Sequence, residues 1–402
     1  MSGDVMALQS RVPSRVVVTY YAYQATLSFG FFAPVFTIFL LARDLSYTQI
    51  ALLSTESAVL TVVGEVPSGY LGDRLGRRAS LLVSTMAMTL SIAGFVVAES
   101  FPAFVVLYGL WALARVFRSG TGDAWLYETL RDRLNNEGRF TTVRGRGRAV
   151  NLGVTVLATL AGGALYTVQP ALPFAVSAGL HALGVPILLL FPKAASFSEG
   201  RDTDVSVRAT ARVVHEQLTA PGTQTVVAVA AVFFAYTNTV NSYVQPMVRD
   251  IVGLPVSLLG PLYAGFTLIS AIAGYYTGAI DARLGSRQTV FLLTPLVILG
   301  VGIVTLFPPL AIPAFLAYKG TDTLLRSVTA GFLNDRVTDA GRATTLSAAS
   351  MTYALARLPL LVAAGAFADR RGPRPVFGAV AAVCLIVMGL LWVVTRRVAS
   401  DR

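Results

Sequence analysis

Long apolar segments follow one another along the whole chain, with mostly short polar turns between them. Twelve can be read, over about 16–42, 47–71, 79–99, 101–130, 147–168, 171–192, 224–247, 254–280, 288–307, 309–335, 342–367 and 374–395. Crossing the hydrocarbon core of a bilayer takes roughly 20 apolar residues in a helix, and a backbone without water must satisfy its own hydrogen bonds. Most of the segments are too long for strands and show no period-two alternation, so they predict helices. The expected fold is all-α, a polytopic membrane protein of twelve transmembrane helices. Charged residues make up only 13% of the chain, about half the share usual in a soluble domain. That deficit excludes an ordinary cytosolic enzyme, a disordered chain and a nucleic-acid binder with a solvated surface. The first run, Val16 to Leu41, is longer than the roughly 7–15 apolar residues of a cleaved signal. It predicts a first membrane helix.

The net charge of +11 fits a membrane chain, because cytoplasmic loops collect Lys and Arg. Of the 32 such residues, about 22 lie in cytoplasmic segments when both termini are placed inside, against about 5 in external loops. The expected location is the cell membrane, multi-pass, with both termini cytoplasmic. The turn Asp369-Arg370-Arg371-Gly372-Pro373-Arg374 is the exception, being basic on the outside.

The longest polar stretch, 193–223, reads as a cytoplasmic linker between an N-terminal six-helix bundle, 1–192, and a C-terminal one, 224–402. Residues 205–218 within it could form a short surface helix. The halves resemble each other. Glu137-Gly138-Arg139-Phe140-Thr141-Thr142-Val143 aligns with Ala340-Gly341-Arg342-Ala343-Thr344-Thr345-Leu346, and at the same offset Gly162 meets Gly365 and Phe174 meets Phe377. Leu75-Gly76-Arg77-Arg78 aligns with Leu284-Gly285-Ser286-Arg287. Six helices repeated in the same order form a parallel repeat about an axis along the membrane normal. Such an architecture places a substrate site between the halves, near the midplane.

The sharpest motif is Gly69-Tyr70-Leu71-Gly72-Asp73-Arg74-Leu75-Gly76-Arg77-Arg78, between helices two and three. Gly69 permits close helix approach and Gly76 a tight reversal. Asp73 can pair with a nearby Arg or sit at a helix N-terminus, where the dipole favours negative charge. Degenerate copies occur at Gly278–Arg287 and at Gly365–Gly372. The motif resembles the signature loop of the major facilitator superfamily, and the likeness extends over the whole chain. That resemblance implies two pseudo-symmetric bundles and a cytoplasmic gate made by Gly69, Asp73, Arg74, Gly76, Arg77 and Arg78. Asp73 would lock the halves while the carrier opens outward. Glu65-Val66-Pro67-Ser68-Gly69 and Ser119-Gly120-Thr121-Gly122-Asp123-Ala124-Trp125-Leu126-Tyr127-Glu128 are also similar to variants within that family. Asp123 and Glu128 are expected near the gate arginines; neutralising the basic loop 131–148 is the competing role. Two features depart from the family's proton-driven drug exporters. Helix five keeps Gly162-Gly163 but lacks the Gly-Pro that precedes it there, and Arg115 and Gly120 are five apart.

An ionisable group deep in the bilayer costs about 2.5–3.5 kcal/mol on insertion scales, so it needs a partner or a cavity. Glu56 in helix two is the first candidate for a protonatable carboxylate, with a structural hydrogen bond as its alternative. Glu65 falls on the opposite face of that helix and sits by the gate. Trp111, Arg115 and Arg118 share a face of helix four; Lys319, Asp322 and Arg326 share a face of helix ten; Tyr353 and Arg357 share one of helix eleven. A self-neutralised ladder competes with a substrate or proton acting on Asp322. The excess of deep bases favours an anionic substrate. Tyr20, Tyr23 and Gln24 in helix one, and Tyr236, Asn238, Asn241, Tyr243 and Gln245 in helix seven, suit a wet cavity or helix–helix hydrogen bonds. Pro34 and Pro246 predict kinks, and His181 a packed polar residue.

No nucleotide-binding loop, metal spacing or catalytic triad is found, and the single cysteine, Cys384, excludes a disulfide framework. The expectation is a secondary active transporter, not an enzyme, with no cofactor and no metal. Its partners are a small-molecule substrate, protons and the lipid bilayer, and it acts as a monomer. Proton-coupled efflux of amphiphilic compounds is the first reading. Carriage of a polar or anionic metabolite, or a transport-inactive sensor, are the rivals.

Overall fold

The computed structural model describes residues 14–134, 137–192, 223–336 and 342–400; the side chains of 66–73, 133–137, 342–347 and 394–400 lie outside that description. All regular structure among the described residues is helical. The helices are α1 (Arg15–Thr26), α2 (Phe36–Leu41), α3 (Tyr47–Leu75), α4 (Arg77–Val97), α5 (Phe101–Arg118), α6 (Thr121–Leu134), α7 (Phe140–Val168), α8 (Leu172–Ala182) and α9 (Gly184–Leu189). The expected linker and the short helix expected at 205–218 lie outside the described residues; the chain resumes with α10 (Thr223–Asn241), α11 (Leu259–Leu284), α12 (Ser286–Gly302), α13 (Ala311–Asn334), α14 (Arg342–Arg371) and α15 (Arg374–Ser400). Among the described residues nine helices are long and apolar enough to cross a membrane. Helix ten (α13) is long enough too, but carries Lys319, Asp322 and Arg326 within its span. Large apolar side chains such as Leu90, Val97, Leu157, Leu268, Ile386 and Leu390 are exposed. A soluble monomer rarely exposes apolar surface on that scale, whereas a bilayer covers it.

Several apolar segments are broken where the sequence suggests continuous helix. Helix one stops at Thr26 and resumes through a 3-10 turn, Ala33–Val35, into α2. Pro34 has no N–H, and Ser28 Oγ accepts from the Gly30 N–H at 3.1 Å, which diverts the backbone from its helical ladder. Helix four divides at Gly120, whose φ of 70° is a left-handed stop. Helix seven ends at Asn241 and continues, after a turn, through Val244–Pro246 and a wide turn over Met247–Ile251. The glycine that closes each copy of the signature motif adopts a left-handed conformation, with φ of 81° at Gly76, 77° at Gly285 and 79° at Gly372. Only glycine takes that conformation without strain, so each one ends a helix and turns the chain into the next.

The chain forms two compact units. One holds residues up to Val35 and Glu56–Arg201; the other holds Phe36–Thr55 and everything from Asp202 onward. In the first unit α4 packs on α5 and α8, and α1 on α7. Hydroxyls join α4 to α5: Ser84 Oγ donates to the Ala114 carbonyl at 2.7 Å and Ser91 Oγ to that of Leu107 at 2.8 Å. Helices one and five touch through their backbones. A Cβ at Gly162 would stand 2.2 Å from the Phe31 carbonyl oxygen, and one at Gly30 2.4 Å from that of Thr155. Small residues at such crossings let helices meet without side chains between them. In the second unit α11 packs on α13, α10 on α14 and α15, and α12 on α13.

Candidate functional site

Three helices of the second unit bring most of the deep charges together. Periodicity puts Lys319, Asp322 and Arg326 on one face of α13, and the fold sets that face toward α10. Asp322 is held in a fork: Arg326 Nε donates to Oδ2 at 2.8 Å and Nη2 to Oδ1 at 3.1 Å. Thr237 Oγ1 of α10 donates to the same Oδ1 at 3.1 Å. The guanidinium also lies over the Phe234 ring, 4.5 Å from its centroid. Lys319 is treated differently. Its Nζ donates to Asn241 Oδ1 at 2.7 Å, and Tyr318 OH donates to that same oxygen at 2.8 Å. The rings of Tyr318 and Phe266 lie 4.9 and 5.8 Å from the ammonium. Lys319 thus has a neutral acceptor and aromatic faces, while the neighbouring acid is held by Arg326. From α14, Arg357 Nη1 donates to Asn238 Oδ1 at 3.2 Å. The Tyr353 ring sits 5.1 Å from Phe234, and its shielded hydroxyl has no hydrogen-bond partner among the described residues.

Among the described residues this cluster carries three cations against one carboxylate. Its chemistry suits a group with negative charge and several acceptor oxygens, held by Lys319 and by a guanidinium. Tyr236 is not at its surface. It is fully buried, with its hydroxyl donating to the Ile298 carbonyl at 3.2 Å. Tyr318, Thr237, Phe234 and Phe266 also belong to the cluster, and none of the four stands out in the sequence. Tyr318 precedes Lys319, but adjacency along a helix does not put two side chains on one face.

In the first unit Glu56 lies about a third of the way along α3 beside Gly109, its Oε1 3.7 Å from where a Cβ there would stand. It forms no ion pair among the described residues, and neither do Arg115, which is exposed, and Arg118, which is half-buried. Trp111 stacks on Phe29 with centroids 5.4 Å apart and meets Phe32 edge-on at 5.8 Å. His181 also stacks on Phe29, at 5.1 Å. Tyr23 is buried, sharing a hydrogen bond of 3.1 Å with Thr85 Oγ1. Gln24 accepts through its backbone carbonyl from Asn151 Nδ2 at 3.0 Å.

The residues read as a gate fall at the end of the first unit where α3 meets α4. Arg77 Nε pairs with Glu128 Oε1 at 3.2 Å. Arg78 Nη2 donates to the Leu189 carbonyl at 2.6 Å, capping the end of α9. Asp123 pairs with Arg144 at 2.8 Å instead of with a motif arginine. Arg74 is exposed, Gly76 makes the turn, and the side chains of Gly69 and Asp73 lie outside the described residues. Trp125 of α6 stacks on Phe191 at 3.9 Å, within a cluster that includes Tyr20, Leu81 and Val143.

Residues 24–357 match the sequence pattern of the Major Facilitator Superfamily. The chain belongs to that superfamily. It is 24% identical over 389 residues to an uncharacterised MFS-type transporter of Bacillus subtilis, YxaM, covering 94% of this chain and 95% of that one. Among solved structures, the nucleoside transporter NupG superposes with a TM-score of 0.74 at 10% identity, covering 94% of this chain and 96% of that one. A D-xylose–proton symporter gives 0.66 at 14%, covering 92% and 96%. At those identities the structures establish a shared fold alone. The chain is therefore a multi-pass membrane transporter for a small molecule.

Proposed function

We propose that this MFS protein is a secondary active transporter that carries a small anionic or carboxylate-bearing molecule by alternating access. Both termini lie in the cytoplasm, protons supply the energy, and the monomer is the working unit. The observation that carries the substrate class is the pairing at α13: Lys319 rests on the neutral Asn241 amide while Asp322 is held by Arg326. A substrate anion replaces Asn241 at Lys319 and competes with Asp322 for Arg326. Protonating Asp322 frees Arg326 for the substrate, which ties proton and anion to one event. To test this, purified protein in proteoliposomes is given an imposed pH gradient and a panel of mono- and dicarboxylates, organic phosphates and lipophilic cations. Gradient-driven flux of an anion supports the reading; flux of lipophilic cations alone overturns it.

The aromatic group Phe29, Phe32 and Trp111, with Glu56 on neighbouring α3, favours a second reading, efflux of amphiphilic compounds. Energised cells would then expel a fluorescent lipophilic cation, and an uncoupler would stop them. Glu56→Gln separates the readings. If Glu56 carries the proton, the variant's transport rate becomes flat across pH. If Asp322 carries it, Glu56→Gln keeps the wild-type profile and Asp322→Asn flattens it.

The motif loop works as the cytoplasmic gate, with Asp73 as its locking group and Arg77–Glu128 as a supporting pair. Asp73→Ala is expected to leave expression and thermal stability near wild type and to slow turnover by about tenfold, the scale of one charge-assisted contact. Turnover measured in proteoliposomes at saturating substrate checks it, and an unchanged rate removes Asp73 from the gate.

A further inference from the structure

We propose that Asp369, together with Gln245, is a releasable latch that holds the hairpin of helices one and two, residues 36–55, against the C-terminal helices. Its release is then a step of the transport cycle. The proposal rests on the alternating-access reading and on the hairpin facing outside.

The N-terminus of α3 is capped only in part by its own residues. Ser46-Tyr47-Thr48-Gln49 forms a capping box: the Ser46 N–H donates to Gln49 Oε1 at 2.9 Å and the Gln49 N–H to Ser46 Oγ at 3.2 Å. The Ile50 N–H reaches the Ser46 carbonyl at 3.0 Å and starts the helical ladder. Two orphan donors remain, the N–H groups of Tyr47 and Thr48, for which the helix has no acceptor of its own. The carboxylate of Asp369 takes both, Oδ1 from Tyr47 at 2.7 Å and Oδ2 from Thr48 at 3.1 Å. A carboxylate at that position also meets the positive end of the α3 dipole.

The same hairpin is held at a second point. Gln245 Oε1 accepts from the N–H groups of Thr37 and Ile38 at 2.7 and 3.3 Å, donors left open by the break at Pro34. Its Nε2 donates to Tyr263 OH at 3.1 Å, which fixes the amide's orientation. Gly365, one turn before Asp369, allows the approach: a Cβ there would stand 2.9 Å from Thr48 Cα. The rings of Tyr47 and Tyr243 lie 5.4 Å apart beside it.

Chain connectivity makes this a latch and more than packing. The hairpin clusters with the C-terminal helices, but the rest of helices one and two belongs to the other compact unit, with crossovers at Val35–Phe36 and Thr55–Glu56. When the units move relative to one another, helices one and two must bend there or the hairpin must let go. Asp369 is exposed and binds backbone N–H groups, not a buried cation. Water can take its place on release, so the contact can be remade every cycle. Asp369 also explains why a copy of the signature loop sits on the face where its basic residues are out of place.

The test uses thiol labelling in a Cys384→Ser background, since Cys384 is the only cysteine. Ala51→Cys reports the hairpin, because Ala51 lies one turn into α3 and is only 3% exposed. Ser327→Cys, exposed on α13, reports the opposite side of the membrane. Intact cells and inside-out vesicles are treated with a membrane-impermeant maleimide. Asp369→Ala should speed labelling at position 51 from outside by roughly 5–30-fold, the scale of a lost helix cap. Labelling at position 327 in vesicles should slow in step. Asp369→Asn keeps one acceptor oxygen and should give an intermediate shift, which serves if the alanine variant folds poorly. Unchanged rates at position 51 overturn the latch. Faster labelling at both positions also overturns it, since a structural cap would loosen both sides. If position 51 reacts only in inside-out vesicles, the orientation is wrong, while a dependence on Asp369 there would still uphold the latch.

Discussion

Lys319→Met is expected to abolish high-affinity substrate binding while leaving the protein folded. The ammonium is held by one neutral amide oxygen and two aromatic faces, with no carboxylate within ion-pair distance among the described residues. Removing it leaves no buried charge uncompensated, and Asn241 keeps the Tyr318 hydroxyl as a donor. Stability therefore changes little. A substrate anion, by contrast, loses a charge-assisted contact in a water-poor site, a loss of about 2–5 kcal/mol. That is roughly 30- to 5000-fold in affinity, since about 1.4 kcal/mol is tenfold. Asp322→Asn behaves differently: it strips Arg326 of its fork partner and costs stability as well as coupling, with the loss reduced because Arg326 is half exposed. Ligand-induced thermal shifts on both variants separate the effects. Lys319→Met should keep the wild-type apo midpoint and lose the ligand shift. Wild-type affinity in that variant would move the substrate away from α13.

What was legible in the sequence follows from how local each cause is. The turns at Gly76, Gly285 and Gly372 could be read because a left-handed helix stop selects glycine, and three copies of one motif place it at the same step. The alignment of Lys319, Asp322 and Arg326 follows from helical spacing alone. The break at Pro34 leaves a proline; the break at Gly120 leaves only a glycine in a run that otherwise reads as one helix. Partners are not local. Asn241 was one polar residue among several, and nothing in its neighbours says that Lys319, 78 positions on, donates to it. Tyr23 and Tyr236 have the composition of cavity residues, yet their hydroxyls are engaged inside the bundles by Thr85 and Ile298. Asp123 and Glu128 lie five apart in one charged stretch, and the turn of α6 sends one to Arg144 and the other to Arg77. Asp369 did leave a trace, a degenerate copy of the signature loop at Gly365–Gly372.

Gly162→Ala is expected to destabilise the N-terminal unit even though alanine is the better helix former. The new Cβ would stand 2.2 Å from the Phe31 carbonyl oxygen and 2.9 Å from Pro34 Cγ, closer than real Cβ atoms come to any neighbour. The nearest obstacle is backbone at a helix break, so no side-chain rotation relieves it and helices one and five must part. Overpacking of this kind costs about 1–3 kcal/mol, against less than about 1 kcal/mol regained from helix propensity. Gly179→Ala is the matched control: it lies inside α8 with nothing within 4 Å of a Cβ, so alanine there should stabilise slightly. The two variants should shift the thermal midpoint in detergent in opposite directions. A rise for both would mean that helix one yields at its break. Gly365→Ala extends the comparison to the repeat partner of Gly162. Its Cβ would meet Thr48 and Tyr47, residues of the hairpin, whereas that of Gly162 would meet Phe31 and Pro34, in the part of helix one that belongs to the same unit as Gly162. The same glycine at the same point of the repeat thus protects a permanent contact in one half and a releasable one in the other. Gly365→Ala should accordingly cost less stability than Gly162→Ala and open position 51 to outside labelling as Asp369→Ala does.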